Sequence, residues 1–186
     1  MIFNEHWNQV GKHAFLGASK YSWINYDLDK LTESYRNFQA VERGTRLHAF
    51  AAECIELGQR LPKTQAHLTL NDYVNDAIGY GLQTEKVLYF SDNAFGTADS
   101  ITFKNNVLRI HDLKTGATPA HMEQLYVYAA FFCLEYKKQP EDIMIILRIY
   151  QNNEVFEDIP EPQVIREIMA KIMLFDKRII DIQRGV

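Results

Sequence analysis

Residues 94–116 read Ala94-Phe95-Gly96-Thr97-Ala98-Asp99-Ser100-Ile101-Thr102-Phe103-Lys104-Asn105-Asn106-Val107-Leu108-Arg109-Ile110-His111-Asp112-Leu113-Lys114-Thr115-Gly116, and a helix-like run holding Gln124 and Tyr128 follows. Two strand-like runs flank Asn105-Asn106, and asparagine tolerates the positive φ that a two-residue hairpin turn demands. The turn predicts a register: Lys104 opposite Val107, Phe103 opposite Leu108, Ile101 opposite Ile110, Asp99 opposite Asp112. The period of two then puts Asp99, Ile101, Phe103, Leu108, Ile110, Asp112 and Lys114 on one face. Ser100, Thr102, Lys104, Val107, Arg109 and His111 fall on the other, which reads as solvated.

The first face is apolar in its middle and carries two carboxylates and a lysine at the end away from the turn. Directly opposed like charges destabilise a sheet, and adjacent carboxylates resist ionising together. A sequence that builds such a pair usually has a cation to neutralise it, and hard oxygen ligands at hairpin distance suit Mg²⁺ or Mn²⁺. Lys114, on the same face, can direct its ammonium at an attacking water or a phosphate oxygen. In outline this is a site for metal-dependent phosphodiester hydrolysis. An Asp-x-Lys at a strand end is common and alone means little; the opposed Asp99 gives it weight.

Composition bounds the rest. The chain has 186 residues, 47% of them hydrophobic, enough for one domain with its own core. Cys54 and Cys133 stand far apart, which rules out a zinc ribbon or a four-cysteine iron–sulfur cluster and suits a reducing cytosol. The first residues, Met1 to His6, lack the basic flank and apolar stretch of a signal peptide, and no run approaches a membrane span. A net charge of −4 is not that of a nucleic-acid coat protein. A nuclease with this balance relies on a local basic groove and its metal, with salt-sensitive affinity.

Residues 1–40 read as an irregular or helical segment, with Ser19 as a helix cap ahead of Tyr21, Trp23 and Tyr26, aromatics that either stack on bases or pack in a core. Glu42 to Gly58 reads as a helix with Leu47, Ala51, Cys54 and Ile55 in an apolar stripe and Gly58 ending it. His48 lies on the flank of that stripe, about 50–60° from its centre, and by itself is more simply a core-edge residue than a ligand. A polar connection with Pro62 leads to a short helix, Asn71 to Ile78, closed by Gly79 and Gly81. Glu85 to Phe90 is a first strand, in which Glu85 is either a further ligand or an exposed charge. Thr118-Pro119 signals the start of a helix that Lys137-Lys138 and Pro140 close. Ile143 to Tyr150 is a strand buried on both faces. Gln163 to Ile182 is a helix with Val164, Ile168, Ile172, Phe175, Ile179 and Ile182 at core spacing. The order predicts an α/β sandwich with a mixed central sheet of about four strands flanked by helices, the unit from 107 to 150 being a right-handed parallel crossover.

Taken together, the pattern resembles the PD-(D/E)XK nuclease superfamily and, within it, the RecB-like exonuclease branch. Four pieces carry the resemblance in order: Gly44-Thr45-Arg46-Leu47-His48, Gly96-Thr97-Ala98-Asp99, Asp112-Leu113-Lys114-Thr115-Gly116 and Gln124-Leu125-Tyr126-Val127-Tyr128. They span roughly residues 40–150, and Asp-Leu-Lys-Thr-Gly followed by Gln-x-x-x-Tyr is the most specific part. The resemblance implies a restriction-endonuclease-like core in a single domain, with 41–150 catalytic and 160–183 a C-terminal helix. It implies that His48, Asp99, Asp112 and the carbonyl of Leu113 hold Mg²⁺ or Mn²⁺. Lys114 would be the catalytic lysine, and Gln124 and Tyr128 would position it or the substrate's phosphate backbone. Two cysteines depart from the iron–sulfur members of the branch, and no helicase motifs are attached. What remains is similar to small stand-alone nucleases, many of them phage-encoded.

The expected activity is metal-dependent hydrolysis of DNA, from ends, in the cytoplasm of a bacterial or phage-infected cell. A structure-specific endonuclease such as a junction resolvase, or a catalytically silent DNA-binding or recruiting module, fits the same residues. A ring or dimer would give processivity and a recombination protein would be a fitting partner, but no stretch marks an interface; RNA is not excluded as a substrate.

Overall fold

A computed structural model describes residues 7–9, 14–63, 68–116 and 118–185; the expectation for the first six residues lies outside them. The chain divides into two compact units, Met1–Thr45 and Arg46–Val186. The elements in order are α1 (Leu28–Glu56), α2 (Thr69–Tyr80), β1 (Gln83–Ser91), β2 (Ala94–Lys104), β3 (Val107–Leu113), α3 (Glu123–Glu135), β4 (Met144–Gln151), β5 (Glu154–Asp158) and α4 (Pro162–Gln183).

Within the first unit, Ala18–Asn25 is a 3-10 helix, so Ser19 lies inside it rather than capping it. Tyr21 is exposed, whereas Trp23 is half-buried with its indole N–H on the carbonyl of Gly17. Phe15, Tyr35 and Phe38 form an aromatic cluster.

The second unit is an α/β body around a five-stranded sheet in the order β1-β2-β3-β4-β5. Strands β1 to β3 form an antiparallel meander, α3 carries the chain to β4 in parallel with β3, and β5 returns antiparallel to β4. The β2–β3 turn is as the sequence predicts. Asn105 and Asn106 have φ of 51° and 58°, and Lys104↔Val107, Phe103↔Leu108 and Ile101↔Ile110 pair. Strand β5 exceeds the four expected. It follows Asn152-Asn153, whose φ values of 52° and 62° repeat the same turn, but its own residues are mostly exposed and acidic, so no apolar alternation announces it.

One face of the sheet packs on α3. Ile101, Leu108, Ile110, Ile145, Leu147 and Ile149 meet Leu125, Ala129, Ala130 and Phe132 there, with Ile165 of α4 behind. Each fully buried aliphatic side chain stabilises the fold by about 1.5–3 kcal/mol. The opposite face is covered too, contrary to the solvated reading. Leu113 and Tyr150 of the sheet pack with Ala51, Cys54 and Ile55 of α1 and Tyr73, Val74 and Ala77 of α2. Ser100, Thr102 and His111 are consequently buried. Ser100 Oγ donates to the His111 carbonyl (3.3 Å), and His111 Nδ1 lies 3.3 Å from Tyr150 Oη, which donates to Asp76 (2.8 Å).

Two helix starts and one helix face differ from expectation. Helix α1 begins at Leu28, well before Glu42. Helix α3 begins at Glu123 without a side-chain cap, because Gln151 claims the segment ahead of it: its Nε2 donates to the carbonyls of Gly116 and Thr118 (both 2.7 Å) and its Oε1 accepts from the Ala120 N–H (3.1 Å). Helix α4 is rotated relative to the expected stripe. Ile165 and Asp176 are its buried residues, Ile168, Met169 and Ile172 are partly buried against the core, and Phe175 and Ile182 are exposed. Asp176 faces inward because Ser91 (2.6 Å) and Asn93 (3.0 Å) donate to it. Among the described residues no helix is long and apolar enough to cross a membrane.

Candidate active site

The carboxylate end of the β2–β3 hairpin lies one step beyond the last ladder pair, Ser100↔His111. There Asp99 turns its Oδ2 to the backbone N–H of Leu113, at 3.0 Å. The same oxygen is 3.3 Å from His48 Nδ1 on α1. The bond to Asp99 is the main reason the His48 imidazole is held above its ordinary pKa, against the opposing effect of burial. Asp112 is 2% exposed. Burial, and then the charge of Asp99, push its carboxyl above the usual carboxylate range, while Lys114 pulls the other way.

Lys114 closes the cluster. Its Nζ donates to Asp112 Oδ1 (3.2 Å) and lies 2.9 Å from Oδ2, yet Oδ2 makes no hydrogen bond. Nζ also donates to Gln124 Oε1 at 2.8 Å, and Gln124 Nε2 donates to Tyr128 Oη at 3.1 Å. Gln124 and Tyr128 lie one turn apart on α3, on the face turned toward the hairpin end. The backbone N–H of Lys114 bonds to the Tyr150 carbonyl (2.9 Å), which carries the β3–β4 ladder to the lysine and fixes where its side chain starts.

All seven residues predicted for the site therefore meet in one linked group: His48–Asp99–Leu113 on one side, Asp112–Lys114–Gln124–Tyr128 on the other. Glu85 remains outside it. Its position between the pairs Thr84↔Ser100 and Lys86↔Ala98 sets it across from Asp99, but its φ of 51° departs from strand geometry and the side chain is exposed. His121 is exposed on the approach to α3, and His111 faces away from the site.

The donor set suits a hard divalent cation in kind: two carboxylates, one of them buried, and one imidazole. The arrangement itself has the acids paired inward with His48 and Lys114. Among the described residues, no three His, Cys, Asp or Glu side chains are disposed as a metal-holding group.

What the sequence did not disclose is the network under α2. Arg148 donates to Asp76 (3.0 Å) and Glu157 (2.6 Å). Arg109 and Arg148 lie over the Tyr80 ring, 4.4 Å and 5.3 Å from its centroid. His111 Nδ1 is 3.3 Å from Tyr150 Oη. Since that hydroxyl gives its proton to Asp76, Nδ1 carries the imidazole proton and Nε2 is left as a buried acceptor without a partner. Burial first, then Arg148 and Arg109, lower the pKa of His111 to about 3.

No family model matches the chain, and neither a curated protein nor a solved structure matches it.

Proposed function

We propose that the protein is a metal-dependent deoxyribonuclease of the PD-(D/E)XK type, with a restriction-endonuclease-like core, acting on DNA ends in the cytoplasm of a bacterial or phage-infected cell. The observation that carries the proposal is the continuous chain of contacts from Asp112 through Lys114 and Gln124 to Tyr128, beside the His48–Asp99 pair, at one end of a meander–helix–strand unit. The order helix, three antiparallel strands, helix, parallel strand supports the same reading.

His48, Asp99, Asp112 and the Leu113 carbonyl would hold Mg²⁺ or Mn²⁺, which when bound supplies positive charge against the phosphate and its developing oxyanion. Imidazole among the ligands favours Mn²⁺ relative to an all-oxygen set. To act as a ligand His48 must give up its proton, so lower pH competes with loading. Lys114 Nζ stands beside the buried Asp112, where it can orient the attacking water or meet a phosphate oxygen. Gln124 offers that ammonium a neutral acceptor, which aims it without cancelling its charge.

The test is time-resolved digestion of end-labelled linear DNA with Mn²⁺, beside a covalently closed circle and Lys114→Ala protein. Loss of the linear form alone, abolished by the substitution and by chelation, is the expected result. Cutting of the circle turns the reading to an endonuclease. If wild type and Lys114→Ala leave both forms intact, the enzymatic reading is wrong. The inward pairing of both carboxylates favours a second reading in that case, a silent DNA-binding module with metal-independent affinity.

A further inference from the structure

Gly96 opens the motif that ends at Asp99, yet it touches neither the acids nor the lysine. Its backbone does not demand glycine: among the described residues the positive-φ glycines are Gly58, Gly81 and Gly185. It lies within β2, paired with the buried Leu88 of β1, where glycine in place of alanine costs about 0.5–1 kcal/mol. The reason for it is space. A Cβ at position 96 would stand 2.9 Å from Tyr128 Cε1, well inside carbon–carbon contact distance. Its distance to Phe131 Cε2, 3.8 Å, is ordinary contact, so Tyr128 alone objects.

The Tyr128 ring seated on Gly96 presents its hydroxyl to Gln124 Nε2. An ammonium has no acceptor, so Lys114 faces the carbonyl end of the Gln124 amide, which leaves the NH₂ pointing away from the lysine. Tyr128 takes it. Movement of the ring by several tenths of an ångström would draw that NH₂ with it and loosen the amide's hold on the lysine.

Resting on the nuclease reading, we infer that Gly96 is a positioning residue for Lys114: the missing side chain seats the Tyr128 ring, which orients Gln124, which aims the ammonium. The β2 motif and the α3 motif are thus one steric unit, with Asp99 and Gly96 serving different ends of the site from the same strand.

The experiment is a double-mutant cycle on the full chain, with Gly96→Ala, Tyr128→Ala and the pair, read by single-turnover DNA cleavage with Mn²⁺ and by side-chain amide NMR of Gln124 in metal-free protein. Gly96→Ala should slow cleavage about 10- to 100-fold, in keeping with the effect of a sub-ångström to 1 Å misplacement. It should also shift the Gln124 amide resonances and leave DNA affinity within about twofold. On the Tyr128→Ala background the same substitution should change neither rate nor spectrum further. Equal fractional losses on both backgrounds, or an unshifted Gln124 amide in Gly96→Ala, overturn the inference. If Gly96→Ala does not fold, recovery of folding in the double variant supports the steric seat, and failure there as well overturns it. If wild-type protein cuts no DNA, the nuclease reading falls, and the metal-free spectra still decide whether Gly96 controls Gln124 through Tyr128.

Discussion

The two faces of the β2–β3 hairpin are both polar in sequence and opposite in what they do. On one, Asp99 and Lys114 keep 21% and 30% of their side-chain surface exposed beside the buried Asp112. On the other, Ser100 and His111 are fully buried beneath α2. The alternation of a strand assigns residues to faces but does not say which face a helix will cover. Polarity on the open side stays within reach of solvent, whereas on the covered side His111 and Arg148 meet Tyr150, Asp76 and Glu157.

The largest expected effect separates the faces by activity. Asp112→Asn and Lys114→Ala should each lower Mn²⁺-dependent cleavage by about 10²–10⁴-fold, the range for removing one acid–base or electrostatic group. Asp112→Asn should unfold at no lower urea concentration than wild type, because it removes a buried charge. His111→Ala should do the reverse. Loss of a fully buried ring and of its bond to Tyr150 should cost about 2–4 kcal/mol in urea unfolding, while the folded fraction cleaves within about threefold of wild type. If His111→Ala were stable but inactive, the division between faces would be false.

The faces also titrate with opposite sign. His111 has a folded pKa of about 3 against an ordinary 6.5. Between those values the unfolded chain binds the extra proton, so stability falls by about 1.4 kcal/mol for each pH unit below 6.5. Asp112 and His48 have raised folded values. There the folded state binds the extra proton, so stability rises as pH falls through each folded pKa toward 3.8 for Asp112 and toward 6.5 for His48. Urea unfolding from pH 7.5 to 4.5 should therefore show a loss of stability in wild type that is steeper in Asp112→Asn and nearly abolished in His111→Gln. The same slope in all three would remove His111 as the source.

How much of this was legible follows from where the information lies. The hairpin was readable because Asn105-Asn106 fixes the register locally and Ile101, Phe103, Leu108 and Ile110 fix the inward face. The seven residues that meet at the hairpin end were legible as an ordered set of short motifs, although their mutual contacts were not, since Lys114–Gln124 depends on how α3 lies against the sheet. Strand β5 carried the same turn signal at Asn152-Asn153 but no apolar alternation to confirm it. The rotation of α4 hides in Asp176, a charged residue that faces inward only because Ser91 and Asn93, more than 80 positions away, donate to it. The cover over Ser100 and His111 depends likewise on distant partners.

The smallest effect concerns what holds that cover in place. Helix α2 begins with no side-chain cap from Leu68. Its first N–H, on Thr69, is satisfied instead by Asn153 Oδ1 of the β4–β5 turn at 3.2 Å, and Thr69 Oγ1 accepts from the Asn153 N–H at 2.7 Å. Asn106 occupies the same turn position with a φ of 58°. Glycine relieves that backbone at both turns, but only at position 153 does it delete a helix cap. Asn106→Gly should be neutral or stabilising by a few tenths of a kcal/mol, whereas Asn153→Gly should destabilise by about 0.5–1 kcal/mol. Hydrogen exchange locates the difference: Asn153→Gly should speed exchange in the first turn of α2 and leave β3 protected. Equal behaviour of the two variants would mean that α2 stays on the sheet by its apolar contacts alone, with Asn153 serving only its own turn.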